Sequence, residues 1–257
     1  MCDKIVKNMD LITKYNMIID GKRRRYVYPL PEKLFDLEHT CPDYLDIGGE
    51  HIEASSWGEL IVKLTTYLLD LREEYQKRIL LFAAPWTKAN IFVTEKRINH
   101  VEIKPGLFVN INHTALHSCW LVIDLLEYFS IDFSVCKLVI HRLPKAEPTE
   151  VRDYYREETK KELRVYLRRS KLFSDEKIEK VIRNIDYLNQ VFAKRKSGYD
   201  DLYLFDDATM FGTMKSKFIP EFASSRPDKE KSEKLAKIYL GYLTDFYRDC
   251  GYYYKEN

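Results

Sequence analysis

The chain has 257 residues, of which 45% are apolar and 32% are charged, and its formal net charge is +2. This balance is typical of a folded globular protein with a highly charged surface, and it excludes a chain that is mainly disordered. Because neither sign of charge dominates, any site for a polyanion has to be local.

The first 29 residues are interpreted as a separate N-terminal segment. Residues 5–19 are expected to form a short helix or strand, and the basic run Gly21–Arg25 follows. Proline fixes its own φ and restricts the residue before it, so the next stretch is expected to be extended and irregular. The prolines concerned are Pro29, Pro31 and Pro42.

Residues 30–144 are predicted to form an α+β domain with a mixed sheet and packed helices. The pair Gly48-Gly49 accepts the positive φ of a tight turn, which predicts a hairpin across residues 44–54. Ser56 and Glu59 have the spacing of a capping box at the start of a helix. Apolar residues recur at steps of three and four behind this cap, so one side of the helix is expected to be buried.

Further strands and a helix complete this domain. Residues 89–96 and 100–111 are rich in β-branched and aromatic residues, and they are predicted to form a hairpin with a further turn at Pro105-Gly106. Thr114 is expected to cap the next helix, and Cys136–Arg142 is predicted to be a short final strand.

Residues 146–257 are predicted to form a second, mostly helical unit. A charged helix begins after Pro148, and another begins at a Ser174 cap with acidic residues in its first turn, where the helix dipole favours them. Residues 227–250 are predicted to be the last helix, and residues 196–212 are expected to be an ordered loop or short strands.

The cysteines and the apolar runs indicate a compartment. Five cysteines are scattered along the chain and none forms a Cys-x-x-Cys pair, which is typical of free thiols in a reducing compartment. No apolar run approaches the roughly 18 residues that a membrane span needs. We therefore expect a cytoplasmic protein without membrane association.

Glu102 and Lys104 are two residues apart on a predicted strand, so both side chains are expected on one face. Metal-dependent nucleases of the restriction type use a Glu-x-Lys pattern of this kind, in which the carboxylate holds Mg²⁺ and the ammonium orients a water or stabilises negative charge. Such a site needs a second carboxylate, which Asp46 or Glu95 would supply. The alternative interpretation is the outward face of an amphipathic strand.

Neither a zinc site nor a nucleophilic triad is expected. His113 and His117 are four residues apart, but a cap at Thr114 places His113 outside the helix, and Cys119 is about 200° from His117 around it. The chain also has no Gly-rich phosphate loop and no G-x-S-x-G motif. No cofactor is therefore expected, and Mg²⁺ would be bound only under the nuclease alternative.

The strongest candidate site is a row of basic residues on the helix after Pro148. Successive steps of four residues drift by about 40° around a helix, so the row winds slowly, as contact with a phosphate backbone requires. Residues 141–198 contain sixteen Lys and Arg against ten Asp and Glu. A solvated helix face is the alternative interpretation. The candidate nucleic-acid-binding residues are Arg152, Arg156, Lys160, Arg164 and Arg168 in this row, with Lys22, Arg23, Arg24 and Arg25 near the N-terminus.

Residues 44–142 combine three features: Trp57 at the start of the first predicted helix, an Asn-rich strand end at residues 108–112, and the small polar cap Thr114. With these features the segment resembles an α+β accessory module of restriction- and defence-associated bacterial proteins. The resemblance implies an accessory role in such a system.

Residues 160–192 contain a Tyr-Leu pair, a loop, Ser174 at the start of a helix and a spaced apolar stripe. This segment resembles the helical core-binding segment of tyrosine recombinases, which grips DNA. Strand cleavage of that kind is excluded, because the recombinase constellation needs a downstream histidine and none follows His141. The resemblance therefore implies DNA contact through the basic row alone.

Together these patterns predict a prokaryotic or phage-encoded protein without catalytic activity. It is expected to associate with nucleic acid or with a protein partner in an antiviral defence, restriction or mobile-element system. The enzyme alternative is a divergent metal-dependent nuclease that uses Glu102 and Lys104. A third interpretation is a protein-binding subunit or inhibitor with exposed aromatic residues such as Tyr252–Tyr254, and an oligomer fits each of these.

Overall fold

A computed structural model describes residues 2–20, 23–34, 36–194, 201–205, 212, 216, 219–224 and 226–250. The chain forms two compact units. The helical unit consists of Met1–Lys14, Ile19–Arg24 and Leu143–Asn257, and the sheet unit consists of Tyr15–Ile18 and Arg25–Arg142. Gly21, Lys22 and Tyr252–Tyr254 lie outside the described residues.

Helices and strands alternate irregularly along the chain. The helices are α1 (Cys2–Lys14), α2 (Trp57–Leu71), α3 (Glu73–Arg78), α4 (Ala115–Tyr128), α5 (Thr149–Ser170), α6 (Asp175–Ala193), α7 (Ile219–Ser224) and α8 (Lys229–Asp249). The strands are β1 (Met17–Asp20), β2 (Arg23–Tyr28), β3 (Thr40–Ile47), β4 (Glu50–Glu53), β5 (Phe92–Val93), β6 (His100–Lys104), β7 (Leu107–Asn110) and β8 (Cys136–Arg142). The predicted α+β class is confirmed.

Helix α1 belongs to the helical unit and is bonded to α5 within it. Tyr155 donates its hydroxyl to Asn8 Oδ1 at 2.7 Å, and Lys14 Nζ lies 2.7 Å from Glu150 Oε2. Met1–Lys14 is therefore grouped with the helices that follow the sheet unit along the chain.

Strand β8 lies in the middle of a five-stranded sheet whose order is β1-β2-β8-β3-β4. It pairs antiparallel with β2 on one side and with β3 on the other. Its residues 138–140 are fully buried, and because successive side chains point to opposite faces, both faces of the sheet are covered at this strand. The strand predicted at Cys136–Arg142 is confirmed, and the hairpin around Gly48-Gly49 is confirmed as β3 and β4.

Strand β2 contains the three arginines of the basic run and the first residues of the stretch that is expected to be extended and irregular. Its side chains alternate between half-buried and buried, and Arg24, Tyr26 and Tyr28 are the buried ones. Alternation with a period of two is the signal of a strand, but an arginine at an inward position conceals it in the sequence.

The second sheet has three strands in the order β5-β7-β6. Strand β6 turns at Pro105-Gly106 into β7, and β5 pairs with β7 through Phe92 and Val109. The predicted turn is confirmed, but the predicted pairing of β5 with β6 is wrong. Strand β7 is the more apolar of the two candidate partners, and the buried Val109 provides the better contact for Phe92.

The first predicted helix begins at its predicted cap, although half of the capping box differs. Ser56 Oγ accepts the backbone amide of Glu59 at 3.2 Å, as expected. The Glu59 carboxylate accepts hydrogen bonds from Ser55, both backbone and hydroxyl, instead of from the cap residue. Hydrogen bonds from Lys63 and Ser55 lower the pKa of Glu59 to about 2.

The helical unit has its own apolar core. Helix α6 begins after its Ser174 cap, and the stripe of apolar residues at steps of three and four along it is buried, as its spacing predicts. Helices α5, α6 and α8 contact one another around this stripe. Its buried members are Ile178, Val181, Ile182, Ile185, Leu188 and Phe192. In the described part of the chain, no helix combines the length and the apolar character that crossing a bilayer requires.

Candidate functional site

The basic row on α5 faces the acidic side of α6 within the helical unit. The two helices are connected by a short loop, so residues near the end of α5 meet residues near the start of α6. The ion pairs are Arg168–Asp175 at 2.6 Å, Arg164–Glu179 at 2.8 Å and Lys160–Asp186 at 2.9 Å. The row is thus part of an ion-pair ladder between helices, and not a bare track of charge.

The C-terminal half of the row is neutralised by this ladder. Arg164 donates both Nε and Nη2 to the Glu179 carboxylate, and Arg168 does the same to Asp175. Exposed pairs of this kind contribute little to stability, about 0–1 kcal/mol each, but they cancel the field that would attract phosphate. An extended phosphate track along all five residues is therefore not what the structure presents.

The N-terminal half of the row is organised around a buried carboxylate, Asp201. Asp201 is fully buried, and its Oδ2 accepts hydrogen bonds from Arg156 Nε at 2.9 Å and Nη2 at 2.5 Å. Its Oδ1 accepts from Asn189 Nδ2 at 3.3 Å and from the Tyr203 backbone amide at 3.2 Å. A buried carboxylate with partners on both oxygens holds the Arg156 guanidinium in one orientation.

Three cations of the row line one pocket of about 350 Å³. Arg152 lies 3.9 Å from Asp201, beside Arg156, and Lys160 is held over the Tyr203 ring and against Asp186. The lining thus brings three cations of the row together with one carboxylate, Asp186. Outside the lining, Arg156 also pairs with Asp153 at 3.0 Å, and Lys160 lies 3.5 Å from Glu157. The lining residues are Arg152, Arg156, Lys160, Asp186, Asn189, Gln190 and Ala193.

The N-terminal arginines have different surroundings. Arg24 is 5% exposed, and its Nε donates to the equally buried Glu147 at 3.0 Å, so its guanidinium is inside the helical unit and does not reach a phosphate. Arg25 pairs with Asp43 at 3.2 Å in the sheet unit, and Arg23 is half-exposed at the start of β2. Arg24 is thus removed from the candidate set because burial has given it a structural partner.

The residues of the nuclease alternative are not brought together as that alternative requires. Glu102 Oε1 accepts the Gly106 backbone amide at 3.0 Å, which closes its own hairpin, and Lys104 pairs with Asp70 of α2. Asp46 lies on β3 of the other sheet, where it accepts from His51 Nδ1 at 2.8 Å. Glu95 is exposed between β5 and β6. A shared magnesium site of Glu102 with Asp46 would need two different sheets to supply it.

His117 in α4 and His113, just before this helix, both contact Trp86, which the sequence interpretation does not single out. Trp86 stacks on His117 with ring centroids 4.7 Å apart and meets His113 edge-on at 5.4 Å. The Trp86 indole also donates to the buried Asp124 at 3.1 Å. The two histidines are separated from Trp86 by about thirty residues of chain, so no local spacing signals this contact.

Cys119 is fully buried inside α4. Burial raises the pKa of its thiol to about 12, so the thiol form dominates at neutral pH and the side chain is unreactive. Among the residues that the structure describes, no three His, Cys, Asp or Glu side chains are arranged to hold a metal ion.

His113 is expected to make the sheet unit less stable in mild acid. Burial lowers its pKa below the usual value of about 6.5, and His117 and His100 nearby act in the same direction. The folded state therefore binds fewer protons than the unfolded state below about pH 6.5, so stability is lost as the pH falls through this range. Nε2 donates to the Asn110 carbonyl at 3.0 Å, a bond that a glutamine amide can replace.

Unfolding in urea at pH 7 and at pH 5 tests this expectation with the His113→Gln variant. The free energy of unfolding should fall less between the two pH values in the variant than in the wild type. An equal fall in both proteins would show that His113 does not carry the acid sensitivity.

No protein-family model, no curated protein and no solved structure matches the chain. The two resemblances that the sequence suggests therefore stay predictions, and the site is judged from its own geometry.

Proposed function

We propose that this chain is a non-catalytic, nucleic-acid-associated protein that holds phosphate groups in the pocket of Arg152, Arg156 and Lys160. The observation that supports it most is the convergence of these three cations on one concave surface. Guanidinium forks and an ammonium supply the charge-assisted donors that phosphate oxygens accept.

The cations of this pocket are held in place before any ligand arrives. Asp201 orients Arg156 from beneath, and Asp186 with the Tyr203 ring positions Lys160. Side chains that are already ordered lose less conformational entropy on binding, so a smaller number of contacts gives useful affinity. A few well-placed cations are sufficient for local phosphate contact, although they cannot follow a long stretch of backbone.

The biological setting is part of the same proposal. Both resemblances, to an accessory module of restriction-associated proteins and to the core-binding segment of recombinases, favour a cytoplasmic protein of a prokaryotic or phage defence or mobile-element system. In such a system the chain would position nucleic acid for a partner, and it would contribute no catalytic residue of its own.

Binding of short DNA and RNA oligonucleotides at low salt tests the phosphate site. The test variant is Arg152→Gln with Lys160→Gln, which removes two pocket cations and leaves the Arg156–Asp201 pair intact. Hydrogen bonds to charged groups contribute about 1.5–3 kcal/mol, so we expect an affinity loss of roughly tenfold to a hundredfold.

The matched control is Arg164→Gln with Arg168→Gln, which changes the net charge by the same amount on the same helix. It should bind within about twofold of the wild type, because neither Arg164 nor Arg168 lines the phosphate pocket. No binding by the wild-type protein at low salt, or equal losses in both double variants, would contradict the proposed site.

A further inference from the structure

A second pocket lies on the opposite side of α6, between this helix and the N-terminal half of α8, and it differs in chemistry from the phosphate pocket. Its volume is about 170 Å³, and its lining is mainly aromatic and aliphatic. The described lining residues are Asn184, Tyr187, Leu188, Phe222, Arg226, Ser232, Leu235, Ala236 and Tyr239.

The size of this pocket suits one planar ring. An apolar cavity of about 150 Å³ in a protein is large enough to hold benzene, so 170 Å³ accommodates a single ring system. Tyr187 at its edge is 42% exposed, and Leu235 is exposed to the same extent. Two large side chains thus present apolar surface to the solvent at the pocket mouth, where an incoming ring would cover them.

A cation lies inside the aromatic lining. The Arg226 guanidinium is 5.1 Å from the centroid of the Tyr187 ring and 5.1 Å from the centroid of the Phe222 ring. Bases of single-stranded nucleic acids stack on aromatic rings and on guanidinium planes, and this pocket offers both kinds of surface in one place.

The charge around the pocket favours a polyanion over an apolar segment of a protein. The described lining contains Arg226 and no carboxylate. Lys180 and Arg183 are exposed on α6, four residues before Asn184 and Tyr187 respectively, so they lie on the same side of the helix as the pocket. The acidic residues of α6 that face α5 point elsewhere, because they are paired with the basic row.

We infer that this pocket receives one unpaired base of a single-stranded nucleic acid. In a duplex the bases are stacked inside the helix and cannot enter such a pocket without being turned out, so the ligand is a single strand or an unpaired end. The inference rests on the proposed nucleic-acid function. It adds a site that binds a base, whereas the phosphate pocket binds the backbone through charge alone.

The test compares the affinities for two twelve-nucleotide strands. One is oligothymidylate, and the other has the same length but contains only abasic sites. The variants are Tyr187→Ala, which removes the ring, and Tyr187→Phe, which keeps it. Stacking on an aromatic side chain accounts for about fivefold to a hundredfold in affinity per base by alanine substitution. Tyr187→Ala should lose at least fivefold for oligothymidylate and nothing for the abasic strand, and Tyr187→Phe should bind like the wild type.

Tyr154→Ala is the control for loss of a surface tyrosine in the same unit, because Tyr154 lies on α5 and lines neither pocket. It should leave both affinities unchanged. If the wild type binds the abasic strand as tightly as oligothymidylate, or if Tyr187→Ala binds both strands normally, the base pocket is overturned while the phosphate site stands. If no strand binds at low salt, both the base pocket and the proposed function are overturned.

Discussion

Replacing Arg156 by methionine is expected to lower the free energy of unfolding of the helical unit by about 3–5 kcal/mol. The reason is the environment of Asp201, which is fully buried and receives two of its four hydrogen bonds from Arg156. Without the guanidinium, the buried carboxylate keeps only the longer ion pair with Arg152, 3.9 Å away, and has no cation within hydrogen-bond distance. Denaturation in urea, followed by circular dichroism, measures the loss.

Two further variants identify the cause of this loss. Asp201→Asn in combination with Arg156→Met should recover part of the stability, because the neutral amide no longer needs a cation. Arg168→Met removes an arginine from the same helix whose partner Asp175 is exposed, and it should cost less than about 1 kcal/mol. If Arg156→Met and Arg168→Met were equally mild, Asp201 would not depend on Arg156.

Replacing Arg24 by methionine is expected to have an effect of similar size, about 3–5 kcal/mol. Its guanidinium donates to the buried Glu147 and, at 2.5 Å, to the Leu204 carbonyl, and it lies 5.3 Å from the centroid of the Tyr155 ring. The substitution removes the guanidinium from the buried Glu147 carboxylate and the donor from the buried Leu204 carbonyl. The measurement is again the urea midpoint at constant m-value.

Lys14→Met is the matched control for Arg24, because it removes a cation from an ion pair in the same unit whose partners are both more than half exposed. This variant should change the free energy of unfolding by less than about 1 kcal/mol. A mild Arg24→Met variant would mean that Arg24 is accessible after all, and it would restore this residue to the candidate phosphate contacts.

The parts of the fold that depend on neighbouring residues are predictable from the sequence. Ser174 and Thr114 cap the helices that they are expected to cap, since the hydroxyl and the amide it accepts are three residues apart. The Gly48-Gly49 hairpin follows from the positive φ of both glycines. Such features are decided within a few residues, so the sequence contains all of the necessary information.

Pairings between distant residues are not predictable in this way. Strand β7 is the more apolar candidate, but its pairing with β5 depends on packing over the whole sheet, which the local sequence does not specify. Strand β2 is missed because Arg24 is buried, and the partners that allow this burial, among them Glu147 and the Leu204 carbonyl, lie more than a hundred residues later in the chain.

The same distinction applies to the candidate site. The i+4 spacing predicts a basic row on one helix, and α5 presents that row as expected. The spacing does not reveal that acidic residues of α6 pair with the C-terminal half of the row. Nor does it reveal that Asp201, in a stretch expected to be a loop or short strands, binds Arg156 in the N-terminal half. Local periodicity therefore identifies the cations, and the tertiary fold decides which of them face a ligand.

The salt dependence of nucleic-acid binding tests the phosphate pocket most directly. Each cation that neutralises a phosphate contributes about 0.7 to the slope of log affinity against log salt for a single strand. The slope for the double variant Arg152→Gln with Lys160→Gln should therefore be shallower than the wild-type slope by about 1.4. The slope for the control, Arg164→Gln with Arg168→Gln, should equal the wild-type slope. Equal slopes in the wild type and the pocket variant, or a shallower slope in the control, would contradict a phosphate site in this pocket.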